Sequence, residues 1–214
     1  MDKKVIEITG LSKKYNNNIL FENMGFTMNQ GEVVGVIGEN GAGKSVFLKM
    51  ICGLIAPNKG TVNVLGEELA SGDFPKDIGV ILDCAGFLPG ETGFKNLMIL
   101  ANIRKKINRE GVKKVMRRVG LDPESRVKFG KYSLGMKQRL AIAQAIMENP
   151  KLLILDEPFN AIDTETLSDF TEMFKDLNEK EDVSIIMTSH HAEEIERLCT
   201  KVYRVENRGL VVYR

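Results

Sequence analysis

Residues 33–45 read Val33-Val34-Gly35-Val36-Ile37-Gly38-Glu39-Asn40-Gly41-Ala42-Gly43-Lys44-Ser45. A short β-branched apolar run is followed by a glycine-punctuated turn, and a helical-period stretch over residues 44–54 follows that. Residues 38–45 fit the spacing G-x-x-x-x-G-K-S/T, in the strand–turn–helix setting that the motif requires. Glycines let the chain curl so that successive amides point inward and form a concave anion site. A helix beginning at Lys44 adds its positive end. Lys44 places a point charge on the β- and γ-phosphates of a nucleotide, and the Ser45 hydroxyl is a ligand for Mg2+. The predicted nucleotide-binding residues are therefore Gly38, Glu39, Asn40, Gly41, Ala42, Gly43, Lys44, Ser45 and Val46. Val46 stands where a second hydroxyl often follows Ser45. Its amide can still meet the α-phosphate, and the lost side-chain donor costs about 1 kcal/mol of affinity.

Other short runs rich in Val and Ile lie at residues 5–8, 61–65, 78–82, 152–155 and 184–187. Several are apolar on both faces, as strands covered on both sides must be. Helical-period stretches at 94–107, 109–119, 134–147 and 164–179 separate some of them, the order of an α/β sheet. Residues 1–35 and 60–70 read as strand and turn, 86–147 as almost all helix, and 201–214 as a closing hairpin around Glu206-Asn207-Arg208-Gly209. A helical insertion in an α/β core fits this order better than two domains in tandem.

With 214 residues, 43% apolar and 28% charged, the chain can bury a core unaided. Thirty basic against twenty-nine acidic residues leave a net charge of +1, so there is no global field for nucleic acid, and no nucleic-acid partner is expected. No apolar run approaches the ~18 residues of a membrane span. The amino end has no secretory signal pattern. The three cysteines, Cys52, Cys84 and Cys199, have no metal-like spacing and read as buried thiols of a reducing cytosol.

Residues 152–157, Leu152-Leu153-Ile154-Leu155-Asp156-Glu157, end an apolar run in two acids. Ligands of open α/β sheets sit at the carboxyl ends of strands, so Asp156 is placed to hold Mg2+ and Glu157 to polarise an attacking water. A second glycine-bearing helix start lies at Tyr132-Ser133-Leu134-Gly135-Met136-Lys137-Gln138-Arg139. Ser133 can cap this helix, and Gly135 leaves its first-turn amides open to an anion.

Taken with the loop at 38–45 and the acidic strand end, the element S-x-G-x-K/Q-Q-R at 133–139 resembles the signature of the ATP-binding subunits of ABC transporters. The resemblance covers essentially the whole chain. It implies a P-loop NTPase core of class α/β, with a mainly parallel sheet, an antiparallel β subdomain and a helical subdomain at about 86–147. It also implies an ATPase with ATP and Mg2+ as ligands, and catalytic roles for Glu157, His190 and Lys44. Tyr15 matches the residue on which such proteins stack adenine. Asn160-Ala161-Ile162-Asp163 matches their dimer-contacting loop. His190, with His191 beside it, matches the histidine that meets the γ-phosphate. A head-to-tail dimer is implied, in which Ser133 and Gly135 of one subunit close over the nucleotide held by Lys44 of the other. A separate transmembrane permease is implied too, which would place the chain on the cytoplasmic face of the membrane.

One position departs from the family's pattern. After the strand at 78–82 the family carries Gln, and here the residue is Asp83. A carboxylate can ligate Mg2+ but cannot donate an amide hydrogen bond. The segment at 85–97 resembles that of exporters of the bacitracin-resistance and lantibiotic-immunity type. Phe87, Leu88, Leu97, Met98 and Leu100 are candidates for the permease contact, although the helical spacing of Leu97 and Leu100 favours a core position for those two. The readings left open are a transport motor, a non-transport ATPase of the same family and a nucleotide-binding regulator. The chain ends at Arg214, soon after the hairpin, so no added carboxyl-terminal domain is expected.

Overall fold

The computed structural model describes residues 3–16, 18–82, 86–160, 162, 164–189 and 192–214. Two sheets and six α-helices are built from them. The first sheet, in the order β2-β1-β4-β5, is antiparallel and comprises β1 (Lys4–Tyr15), β2 (Asn18–Asn29), β4 (Lys59–Val64) and β5 (Glu67–Glu68). The second runs β10-β9-β3-β8-β7-β6 and holds β3 (Val33–Ile37), β6 (Ile78–Ile81), β7 (Leu152–Leu155), β8 (Ser184–Thr188), β9 (Lys201–Glu206) and β10 (Gly209–Val212). Its pairs are parallel except the closing hairpin β9–β10.

Both faces of the parallel sheet are covered, so its strands are apolar throughout and alternate residues serve different cores. Val34, Val36, Leu152, Ile154 and Ile186 face one core together with α1 (Lys44–Ile51) and the antiparallel sheet. Val33, Leu153, Leu155, Ile185 and Met187 face the other. That second core takes in α2 (Gly93–Arg104), α3 (Arg109–Arg118), α4 (Leu134–Ile146), α5 (Thr164–Glu181) and α6 (Ala192–Leu198). Helix α4 lies so close to the edge strand β6 that a Cβ at Gly79 would stand 2.0 Å from the Ala145 carbonyl oxygen. Only glycine admits that approach.

The helices between β6 and β7 are shorter than their periodicity suggested. Helix α2 stops at Arg104, with Lys105 in a left-handed cap, and a loop with one short 3-10 turn (Phe129–Lys131) precedes α4. Helix α1 likewise stops at Ile51 rather than near residue 54. Helix α6 carries no signal that the sequence reading used. Phe87 is buried and Leu97 fully so, so both are core residues, whereas Leu88 is exposed and Met98 and Leu100 are half-buried against the core. Ile99 and Ile103, not singled out from the sequence, are exposed. No helix of the described residues is long and apolar enough to cross a membrane.

Candidate nucleotide-binding site

The loop after β3 takes a shape that only glycine tolerates at several points. Gly43 has φ 108° and forms the N-cap of α1 without any side-chain cap bond. The first intrahelical bond runs from the Phe47 amide to the Gly43 carbonyl, 2.8 Å. The amides of Lys44, Ser45 and Val46 thus precede the hydrogen-bonded ladder, and no acidic residue occupies the first turn. Electrostatically this is a helix start prepared for an anion.

Lys44 is buried at 7% exposure, and its Nζ donates to the carbonyl oxygens of Gly38 (2.8 Å) and Glu39 (3.2 Å). The loop therefore holds its own ammonium group, which would be costly to bury without acceptors. A cleft of ≈220 Å3 opens here, lined by Leu20, Asn40, Gly41, Gly43, Lys44, Ser45, Val46 and Glu157. Residues more than a hundred positions apart are thereby brought to one space. Gly38, Glu39 and Ala42 line a separate hollow of ≈650 Å3 on the other side of the loop, against residues 204–207.

Glu157 arrives from the carboxyl end of β7. The Asp156 amide continues the ladder by donating to the Ile81 carbonyl at 2.7 Å. The chain then breaks out of the sheet at Glu157, whose φ of 50° is left-handed. Thr188, at the end of the neighbouring β8 and 0% exposed, spans the break. Its hydroxyl donates to Asp156 Oδ1 at 2.6 Å and accepts from the Glu157 amide at 3.0 Å. Sequence reasoning passed over this residue. The available signal was a hydroxyl closing the apolar run 185–187.

Ser133 and Gly135 begin α4, where the Ser133 hydroxyl accepts from the Met136 amide at 3.2 Å. Ser133 is exposed, and a Cβ at Gly135 would meet nothing within 4 Å, so this helix start faces open space. Neither residue lines the cleft around Lys44. Further along α4, Gln138 donates to the Pro158 carbonyl at 2.5 Å, tying this helix to the segment that follows Glu157. Tyr15 also lies outside the cleft lining; it ends β1, is 46% exposed, and carries the Lys13 ammonium over its ring at 4.8 Å. Asp83, His190 and its neighbour His191, and Ala161 and Asp163 of the 160–163 segment, lie outside the described residues, as does Cys84.

A mixed, mainly parallel sheet with a phosphate-type loop after its central strand, an acidic strand end beside that loop and a second helix start facing outward define a nucleotide-hydrolysing cassette. The ABC transporter family model matches residues 21–160, and the chain belongs to that family as an ATP-binding protein and ATPase. It is 39% identical over 216 residues to the uncharacterized ABC transporter ATP-binding protein YybJ of Bacillus subtilis, covering 98% of this chain and 99% of that one. It is 38% identical over 196 residues to the bacitracin transport ATP-binding protein BcrA of Enterococcus faecalis, covering 91% of this chain and 64% of that one. The fold matches a dimeric, post-hydrolysis ATP-binding cassette bound to ADP and Pi with a TM-score of 0.84 at 22% identity, covering 98% of this chain and 97% of the other.

Proposed function

We propose that the chain hydrolyses ATP in the cleft between residues 40–46 and Glu157, and that a head-to-tail dimer uses this reaction to drive a separate membrane permease. The observation that carries the reading is that one cleft is lined both by the start of α1 and by Glu157. In our reading Lys44 exchanges its two loop carbonyls for β- and γ-phosphate oxygens when substrate enters. Little reorganisation is needed, because the ammonium is already held over the loop. The amides of residues 44–46 receive the phosphates, Val46 through its backbone alone. Glu157 orients the attacking water and draws off its proton.

The donor set suits Mg2+, since Ser45 lines the cleft and Asp156 has Oδ1 occupied by Thr188, which leaves Oδ2 for the ion or its water. When bound, Mg2+ neutralises the charge that develops between the β- and γ-phosphates. Asp83 would be a further ligand, and His190 would contact the γ-phosphate.

Since Ser133 and Gly135 face open space within one chain, the anion site at the start of α4 is assigned to the nucleotide of a second ATP-binding subunit, a copy of this chain or a sister chain. Tyr15 would stack on adenine. The helical unit at about 86–147, with exposed Leu88, Ile99 and Ile103, would meet the permease at the cytoplasmic face. Export of a peptide, antibiotic or other amphipathic compound is the favoured cargo reading, supported by the similarity to a relative described as a bacitracin transport protein.

The test is steady-state ATP hydrolysis by the purified chain with and without Mg2+, alone and with the permease. Glu157→Gln should cut turnover by ~10^2-fold or more, the scale of a general base, while ATP binding persists. Lys44→Ala should abolish binding. Turnover in Glu157→Gln equal to that of the parent removes Glu157 from its role.

A further inference from the structure

We infer that Thr188 is a positioning residue for hydrolysis, whose single hydroxyl sets Asp156 and Glu157 in their relative geometry. The inference rests on the site reading above and extends it to a residue that does not line the cleft. The register of the parallel sheet pairs Leu155 with Met187, so the next residues on the two strands, Asp156 and Thr188, stand side by side where the ladder ends. A hydroxyl can donate once and accept at its lone pairs. Thr188 uses both capacities on consecutive residues, giving its proton to Asp156 Oδ1 (2.6 Å) and taking that of the Glu157 amide (3.0 Å).

Each bond constrains something that the chemistry needs. The bond to the carboxylate is short and charge-assisted, and it stops Asp156 rotating, so its second oxygen keeps one direction. The bond from the amide holds Glu157 at φ 50°, a conformation that non-glycine residues keep only when the surroundings over-determine it. Without it the chain after Leu155 could relax toward extended geometry and swing the Glu157 side chain away from the loop. A hydroxyl serving only to satisfy itself in an apolar strand would return to a nearby carbonyl of its own backbone. This one instead crosses to two successive acids. Every residue of β8 is buried, so the hydroxyl itself is out of water, while its partners Asp156 and Glu157 are half-buried at the strand end.

Thr188→Val keeps the branched shape and removes both bonds, whereas Thr188→Ser keeps both bonds and loses only a methyl group. The measurements are kcat, the Kd for ATP and the melting temperature of the full chain. Thr188→Val should lower kcat by ~10–100-fold, the scale set by losing a hydrogen bond to a charged group, with the Kd for ATP within ~3-fold of the parent. Thr188→Ser should recover kcat to within ~3-fold, since the hydroxyl alone carries the effect. The inference is overturned if Thr188→Val turns over like the parent, or if Thr188→Ser is as slow as Thr188→Val. It is overturned equally if Thr188→Val no longer melts cooperatively, because the hydroxyl would then be holding up the fold rather than the reaction. If instead Glu157→Gln hydrolyses ATP at the parent rate, the fault lies in the site reading beneath it.

Discussion

Replacing Gly43 by alanine adds one methyl group at the point where β3's loop becomes α1, and the structure sets its cost. The backbone there has φ 108°, which an L-residue adopts at a cost of ~1–3 kcal/mol. The new Cβ would also stand 3.1 Å from Phe21 Cζ and 3.2 Å from Phe21 Cε2. Phe21 cannot withdraw, being fully buried and packed on Phe47 with ring centroids 6.1 Å apart. Such crowding adds ~1–3 kcal/mol. Gly41 is the internal control, with φ 80° but nothing within 4 Å of its Cβ, so Gly41→Ala carries only the conformational part. The two variants should therefore differ by ~1–3 kcal/mol. Borne by the loop, that difference is a ~5–150-fold weaker affinity for ATP in Gly43→Ala than in Gly41→Ala. Borne by the fold, it is a melting temperature lower by ~2–12 °C. Titration with a fluorescent ATP analogue and a thermal melt read the two shares. In a Phe21→Leu background the difference should shrink, because the ring edge is gone. Equal affinity and equal melting in Gly43→Ala and Gly41→Ala would refute the argument that Phe21 presses on the loop.

Burial pushes the thiols of Cys52 and Cys199 up to about 12, so the native protein should leave both unmodified by iodoacetamide at pH 8. Peptide mapping by mass spectrometry should find them labelled only after denaturation. Burial alone would raise the Glu32 carboxyl, but the hydrogen bond from Lys201 and those from Asn29 outweigh it and hold the group below its ordinary range. A depressed folded value means stability that is full above the unfolded value of about 4.3 and is lost as pH falls through the folded value. Glu32→Gln should thus be less stable than the parent at pH 7, by no more than ~1 kcal/mol at this partly exposed pair. The gap in urea midpoint should close as pH is lowered below about 4. A gap that widens in acid would contradict the assignment.

Much of the site could be read in the sequence because it is made by contiguous residues. The loop 38–43 specifies its own curvature through its glycines, and the start of α1, the candidate anion site, is the next residue along. The same holds for Ser133, whose capping bond reaches only to Met136. The two-sided apolar strands were legible for a related reason, since burial on both faces leaves no polar position within a run such as Leu152–Leu155. Phe87 misled because an apolar residue in a turn-rich segment suits a docking surface and a core equally well; its contact with Phe129, ring centroids 5.1 Å apart, decides for the core.

Local spacing and residue chemistry, by themselves, determined that this chain has a glycine-punctuated strand–loop–helix turn, an acidic strand end and a second glycine-bearing helix start in an α/β frame. Tertiary structure alone decided which of these share a space. Glu157 meets residues 40–46 only because β7 and β3 lie in one parallel sheet on either side of β8. Thr188 reaches Asp156, 32 positions away in the chain, only because of the register between β7 and β8. Backbone conformation follows from neighbours along the chain, whereas contacts between strand ends follow from how the sheet packs, and that balance is struck by both cores at once.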